Sequence, residues 1–303
     1  MVNPPSTADP RVKEFPSDEE IGTSVLFRFF AWLILPFAIV FHSYSISGTE
    51  NIPDNEGALL VGMHTTHNQD LLLGPGFYFK TGRVIRGLWH RTLYRLTPIL
   101  GYIGGHAGER EVATELLQAG KLVAVIPGGA EEALCGHENS YKLHWESSSG
   151  RKRQGFALVA LSVGKPVSIL PMFSKNAEEM RFNPLHWLWN CFGLADIWWQ
   201  FLNWVYEVND TLGKVAFVVA SFIWYISSYL GIPVPVQVTT FVGKPIRVHP
   251  GDDPAEVVDK VKSALEDLIR EHQPFAPGKC YLHALKERFP WFQTPTHAKA
   301  KLL

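Results

Sequence analysis

Charge is scarce in this chain. Asp, Glu, Lys and Arg make up 19% of its 303 residues, below the roughly 25% of ordinary soluble chains. The formal net charge is −1 and the pI is near 6.9. No basic field exists to hold nucleic acid, so that partner class is set aside. Cysteine is rarer still. Cys135, Cys191 and Cys280 are odd in number, far apart and in no metal-ligand pattern. Neither a disulfide scaffold nor a zinc module is supported, and a reduced, cytosol-facing domain is the simplest fit. Several catalytic signatures are missing as well. There is no G-x-S-x-G elbow, H-E-x-x-H helix, P-loop or dinucleotide fingerprint. Serine hydrolase, zinc protease, nucleotidase and dehydrogenase chemistry lose weight accordingly. No internal repeat is visible.

What is abundant is aromatic surface, at 13% of residues with ten Trp. Trp collects where an apolar body sits beside water, including membrane interfaces. The first long apolar run, SVLFRFFAWLILPFAIVF over residues 24–41, is marginal in length for a spanning helix, which needs about 20 residues. Arg28 near one end can snorkel, and Pro36 predicts a kink. A cleaved leader fits poorly, because acidic Asp18, Glu19 and Glu20 precede the run, although Ser43-Tyr44-Ser45 offers a small-x-small site. We read residues 1–23 as a flexible tail and 24–45 as a membrane helix.

Alternating strand-like and helix-like pieces follow. GALLVGM (57–63), RVIRGL (83–88), KLVAVIP (121–127), PVSILPMF (166–173) and VQVTTFVG (236–243) read as strands. EREVATELLQAG (109–120), RQGFALVALSVG (153–164) and PAEVVDKVKSALEDLIREH (254–272) read as helices. Continuously apolar strands alternating with helices predict an α/β domain over 46–273, with a mostly parallel, buried central sheet flanked by helices. Residues 274–303 read as an irregular C-terminal tail.

One segment breaks the alternation. Residues 185–234 hold LHWLWNCFGLADIWWQFLNWVY, a polar turn, and VAFVVASFIWYISSYLGIPV. The strands on either side should share one sheet, so the chain must return to the side it left. That leaves a re-entrant hairpin, two crossings, or helices lying in the interface. Trp187, Trp189, Trp198, Trp199 and Trp204 favour shallow insertion. Asn190, Asp196 and Asn203 argue against deep burial in hydrocarbon. A buried helical subdomain of a soluble protein is the plainer alternative.

The sharpest chemical signal is His64-Thr65-Thr66-His67-Asn68-Gln69-Asp70, directly after a buried strand. Active sites collect at the C-terminal edge of such sheets. His64 suits a general base that takes a proton from an attacking hydroxyl, and Asp70 suits the carboxylate that orients its imidazole. A His–Asp pair alone is weak evidence, since hydrogen-bonded structural histidines are common. A metal site of His64, His67 and Asp70 lacks further ligands to complete it, so neither metal nor cofactor is expected. The second signal is Ile126-Pro127-Gly128-Gly129-Ala130-Glu131-Glu132. Its glycines let a backbone approach a ligand and present amides to it, though an ordinary strand-to-helix turn reads alike. Weaker blocks are Gly104 to Arg110, the buried VSILPM strand, and the basic turn Arg151-Lys152-Arg153, which could meet CoA phosphates or simply be solvated.

In this order, His…Asp, a Gly/Arg loop, Pro-Gly-Gly and V-x-I-x-P-M, the blocks resemble those of the lysophospholipid and glycerolipid acyltransferase superfamily. The likeness runs from about Ile46 to Gly243. It is nearest the transmembrane protein 68 and plant phytyl ester synthase branch, which borders the diacylglycerol acyltransferases. His64 and Asp70 are separated by five residues, as in that branch, and PGGAEEAL resembles its Pro-Gly-Gly-x-Arg-Glu-Ala-Leu. The resemblance implies His64 as base, Asp70 as its partner, and Arg110, Gly128, Gly129 and Glu132 as substrate-binding residues. It also implies acyl-CoA as co-substrate, a lipid acceptor, the bilayer as partner, and an endoplasmic reticulum membrane with the catalytic domain facing the cytosol. Phosphate-accepting relatives carry Glu-Gly-Thr-Arg in the third block. Here Glu131 stands where that Arg would be, and a carboxylate there repels a phosphate. A neutral acceptor is therefore expected: mono- or diacylglycerol, or a long-chain alcohol. The alternatives are a lysophosphatidic acid acyltransferase, or a non-catalytic lipid-binding membrane protein of the same fold.

Overall fold

The computed structural model describes residues 15–54, 56–65, 70–133, 139–146, 152–228, 231–275, 280–289 and 291. The chain opens with a short helix, α1 (Asp18–Thr23), whose start is set by a reciprocal cap. The Ser17 side chain accepts from the Glu20 N–H, and the Glu20 carboxylate accepts from the Ser17 N–H, which satisfies two otherwise orphaned donors. Helix α2 (Val25–His42) follows at once, capped by Ser24 and running on through Pro36. Next come β1 (Ser45–Ser47), β2 (Ala58–Val61), α3 (Asp70–Thr81), β3 (Ile85–Trp89), α4 (Arg91–Leu96), β4 (Gly105–Ala107), α5 (Arg110–Gln118) and β5 (Leu122–Val125). The second half holds α6 (Gly129–Ala133), α7 (Gly155–Ser162), β6 (Val167–Lys175), β7 (Arg181–Phe182), α8 (Pro184–Cys191), α9 (Leu194–Val208) and α10 (Asp210–Ser228). It closes with β8 (Ile232–Pro233), β9 (Thr239–Val242), β10 (Ile246–Val248), α11 (Pro254–His272) and α12 (Cys280–Arg288).

The main sheet runs β1-β9-β6-β2-β5-β3-β4, with β10 also paired to β6. The ladders of β2 with β5 and β6, of β3 with β4 and β5, and of β1 with β9 are parallel. Only β6 takes antiparallel partners. Its first half pairs with β10 and its second half with β9. The expected α/β architecture with a mostly parallel sheet is therefore present. The central strands β2 and β6, and the start of β5, are buried on both faces, which is why they read as continuous apolar runs. Alternation then divides them. Leu59, Val61 and Val123 face α5, α7 and α11, while Ala58, Leu60 and Leu122 face α3. The helices meet these faces with apolar stripes: Leu116 and Leu117 of α5, Val257, Val261 and Leu265 of α11, and Leu73 and Phe77 of α3.

Two stretches read from the sequence as tails contain ordered helices. α1 lies within 1–23, where Arg86 of β3, fully buried, reaches the Asp18 carboxylate at 2.5 Å and the Pro16 carbonyl at 2.8 Å. α12 lies within 274–303, where Ala284 is buried and Glu287 binds Lys175 and Asn176. Both helices are short and owe their order to long-range partners, which local periodicity does not register.

α2 lies along the domain. Its buried residues Phe27, Ala31, Ala38 and His42 form one stripe, and Phe27 meets Tyr78 of α3 edge to face. Val25, Phe29, Trp32, Leu33, Ile39 and Val40 on the other side are exposed. Both ends are tied to the same body. α1 docks on β3 at the start, and at the end Val238 N–H donates to the His42 carbonyl while Ser45 pairs with Thr239.

The expected return of the 185–234 segment is realised. The β6–β9 ladder places both flanks in one sheet, and the small β7–β8 ladder pairs Arg181 with Pro233 and Phe182 with Ile232 at the stem. Beyond the stem, α9 and α10 pack on one another. Trp187, Phe192, Ile197, Trp204 and Ile223 are all more than half exposed.

Candidate active site

The site forms at the C-terminal edge of β2 and β5. Their parallel register sets Val61 opposite Val125. His64 and Gly128 therefore leave the same edge, each three residues beyond that pair. The last ladder bond on this edge is Gly62 N–H to the Val125 carbonyl at 3.2 Å. Past it, backbone donors need other acceptors. The His64 N–H finds one in Glu132, whose Oε2 accepts at 2.8 Å.

Glu132 sits in α6 and is 1% exposed. Its second oxygen, Oε1, accepts from the His144 N–H at 2.9 Å. Burial pushes this carboxyl up to about 7, opposed by the two amide donors and by the charges of His64 and Arg153. Both oxygens are held inside the protein by backbone amides.

The Pro-Gly-Gly turn is held from two sides. The Arg153 guanidinium donates from Nη1 to the carbonyls of Pro127 at 3.0 Å and Gly128 at 2.9 Å. Its own N–H donates to the Trp145 carbonyl at 2.8 Å. Gly129 opens α6 with φ of +55°, a conformation that suits glycine. Gly128 is required for room: a Cβ there would stand 1.9 Å from Cδ of Glu132.

The structure thus brings His64, Gly128, Gly129 and Glu132 together. Thr65 beside His64 is buried, and His64 itself is half-buried. Asp70 begins α3. Its side chain, and residues 66–69 with His67, lie outside the described residues, so the His64–Asp70 pairing rests on the sequence. Arg110 is exposed at the first position of α5, following β4. β4 stands three strand positions from β2, about 14 Å at the usual spacing between neighbours. Arg110 is therefore at the periphery of the edge.

Sequence reasoning missed two members. His144 contributes a backbone amide, for which no side-chain pattern exists. The basic turn suggests a charge at Arg153 for CoA phosphates or for solvent, and its guanidinium instead turns inward onto two carbonyls. Arg151, from the same basic turn, lies outside the described residues.

Relatives of this chain place it in a family. The profile of the family described as "Diacylglycerol acyltransferase" matches residues 84–274, well over half the chain. A Bos taurus protein named "DGAT1/2-independent enzyme synthesizing storage lipids" is 31% identical over 256 residues, covering 83% of this chain and 66% of that protein. The Homo sapiens protein of the same name is 30% identical over 256 residues, with 83% and 68% covered. The chain spans about two thirds of the length of these relatives. Among solved structures, the 1-acyl-sn-glycerophosphate (LPA) acyltransferase PlsC of Thermotoga maritima matches with a TM-score of 0.50 and 16% identity, over 82% of this chain and 80% of that one. That likeness establishes the fold. The chain belongs to the diacylglycerol acyltransferase family of acyltransferases, and its α/β fold is that of PlsC.

Proposed function

We propose that this acyltransferase moves a fatty acyl group from acyl-CoA to the hydroxyl of a neutral lipid, mono- or diacylglycerol or a long-chain alcohol. His64 is the general base. It takes the acceptor's hydroxyl proton as the oxygen attacks the thioester carbonyl. The carbon–sulfur bond then breaks, the ester forms, and the CoA thiolate receives the proton back. Asp70 orients the imidazole and stabilises its cation. No metal or cofactor takes part in this scheme.

The observation that carries the reading is the pinned His64 beside the Pro-Gly-Gly turn at one sheet edge. The neutral acceptor follows from Glu131 in the third block, and from relatives whose names speak of storage lipids. Arg110, Gly128 and Gly129 are proposed to line the substrates, Arg110 at the outer margin.

The lipid reaches the site from a membrane. α2 has the length and apolarity of a spanning helix, yet both its ends are tied to one body. We therefore read it as seated in a single leaflet, with the exposed aromatic face of α8–α10 beside it and CoA in water. The endoplasmic reticulum and a cytosolic active site are the expected setting.

The test is mass spectrometry of products after purified protein meets acyl-CoA and a mixture of neutral and phosphorylated acceptors. Acylated neutral lipids, absent with His64→Ala, are expected. Acylation confined to phosphorylated acceptors would overturn the acceptor assignment. Lipid binding without transfer would favour the non-catalytic alternative.

A further inference from the structure

Glu132 does something for His64 that no sheet partner does. The β2–β5 ladder ends at the Gly62 amide, and the next backbone donor the structure ties down is that of His64. Glu132 joins it to a part of the chain 80 residues away, since its other oxygen takes the His144 amide. Bonds from amides to an ionised carboxylate are among the stronger kind. Two of them, from different segments onto different oxygens, fix the carboxylate in place and orientation. The backbone at the head of the His64 loop is fixed with it.

Gly128 gives a second, independent sign of that arrangement. A Cβ at this position would lie 1.9 Å from Cδ, 2.2 Å from Oε1 and 2.3 Å from Cγ of Glu132. The carboxylate occupies the volume that any side chain at 128 would need. On its other side the same turn is anchored by Arg153. Gly128 and Glu132 thus work as one unit, with a glycine supplying the space that an anchoring carboxylate fills.

We propose that Glu132 is a positioning residue for acyl transfer: it sets the direction in which the His64 side chain leaves β2 and touches neither substrate. This rests on His64 being the base. The groups facing Glu132 are His64 from the β2 loop, the His144 backbone from the 139–146 segment, and Arg153 ahead of α7. Burial makes this carboxyl easier to protonate than usual. A proton on one oxygen weakens that oxygen as an acceptor for its amide, so acid should loosen the head of the loop locally, even as it relieves the cost of burying the charge, and should protonate the base as well.

The experiment compares full-length wild type, Glu132→Gln, Gly128→Ala and the double variant in detergent. Gln keeps one acceptor and turns its NH2 toward the other amide donor. Ala at 128 displaces the carboxylate without removing it. Glu132→Gln should lower kcat by about 10- to 100-fold while KM for acyl-CoA stays within about twofold, because misplacement costs the reacting geometry first; Gly128→Ala, at a position that also lines the substrates, should lower kcat by a similar factor. The double variant should be no worse than the poorer single one. The acid limb of kcat/KM should fall with two protons in wild type and with one in Glu132→Gln. Amide exchange at His64 should accelerate in both variants. Wild-type kcat in either variant overturns the proposal, and so does a loss of kcat with His64 amide protection unchanged. Should Glu132→Gln fail to fold, Gly128→Ala carries the kcat and amide-exchange comparisons. His64→Ala separates the two ideas. If it keeps full activity, the base assignment falls, and the exchange data still decide whether Glu132 holds the loop.

Discussion

Removing the Asp18 carboxylate should unfasten the N-terminal end of α2. Arg86 is 0% exposed, and its guanidinium lies beneath the segment that leads into α1. Among the described residues it makes two bonds, both from Nη2, to Asp18 and to the Pro16 carbonyl, while Nε and Nη1 have no hydrogen-bond partner. Asp18→Ala leaves a buried cation with one carbonyl. Breaking a buried pair from one side costs about 3–5 kcal/mol, because the remaining charge stays desolvated. Asp18 is itself 19% exposed, so water can partly reach the gap, and we expect the lower end, about 3 kcal/mol. Replacing both partners, Asp18→Ala with Arg86→Met, removes the buried charge and should recover all but about 1 kcal/mol. Denaturant titration in a fixed detergent measures the three proteins, and limited proteolysis near residues 15–24 shows whether α1 has come away. An Asp18→Ala protein that loses less than about 1 kcal/mol and resists cleavage like wild type would refute the reasoning. So would a double variant worse than the single one.

His64→Ala should reduce single-turnover acyl transfer by about 10²- to 10⁴-fold, the usual worth of a positioned base. The pH dependence of stability should carry the mark of Glu132. Its native carboxyl titrates near 7 and its unfolded one near 4.5, so the native state holds its proton to higher pH. The associated stability is complete below about 4.5 and disappears as pH rises through about 7, ~3 kcal/mol in all. Denaturation of wild type and Glu132→Gln at pH 5 and pH 8 should show that difference, and parallel pH profiles would contradict it. Phe77→Ala empties a fully buried site between α3 and the sheet and should cost about 3–5 kcal/mol, read by chemical denaturation. Trp204→Glu, on an exposed position of α9, should lower flotation with phospholipid vesicles about tenfold or more while leaving the thermal transition in place. Unchanged flotation would remove this face from the membrane contact.

The sequence on its own determined the layered architecture and one edge of the site. β2, β6 and the start of β5 are buried on both faces, so each appears as an unbroken apolar run. α5 and α11 carry single apolar stripes, so each shows helical spacing. His64 and Gly128 follow their strands directly, and the two strands are parallel neighbours in register, so adjacency along the chain became adjacency in space. Tertiary structure alone decided the rest. β1, β4 and β10 are three-residue strands that exist because a partner lies alongside. α1 is held by Arg86 from 68 residues away, and α12 by residues of β6 and beyond. The two bonds of Glu132 reach back 68 residues and forward 12, both to backbone amides. Periodicity and capping are properties of a short window, and they survive in the order of residues. A hydrogen bond to a distant main chain leaves no trace in the identity of the residue that donates it.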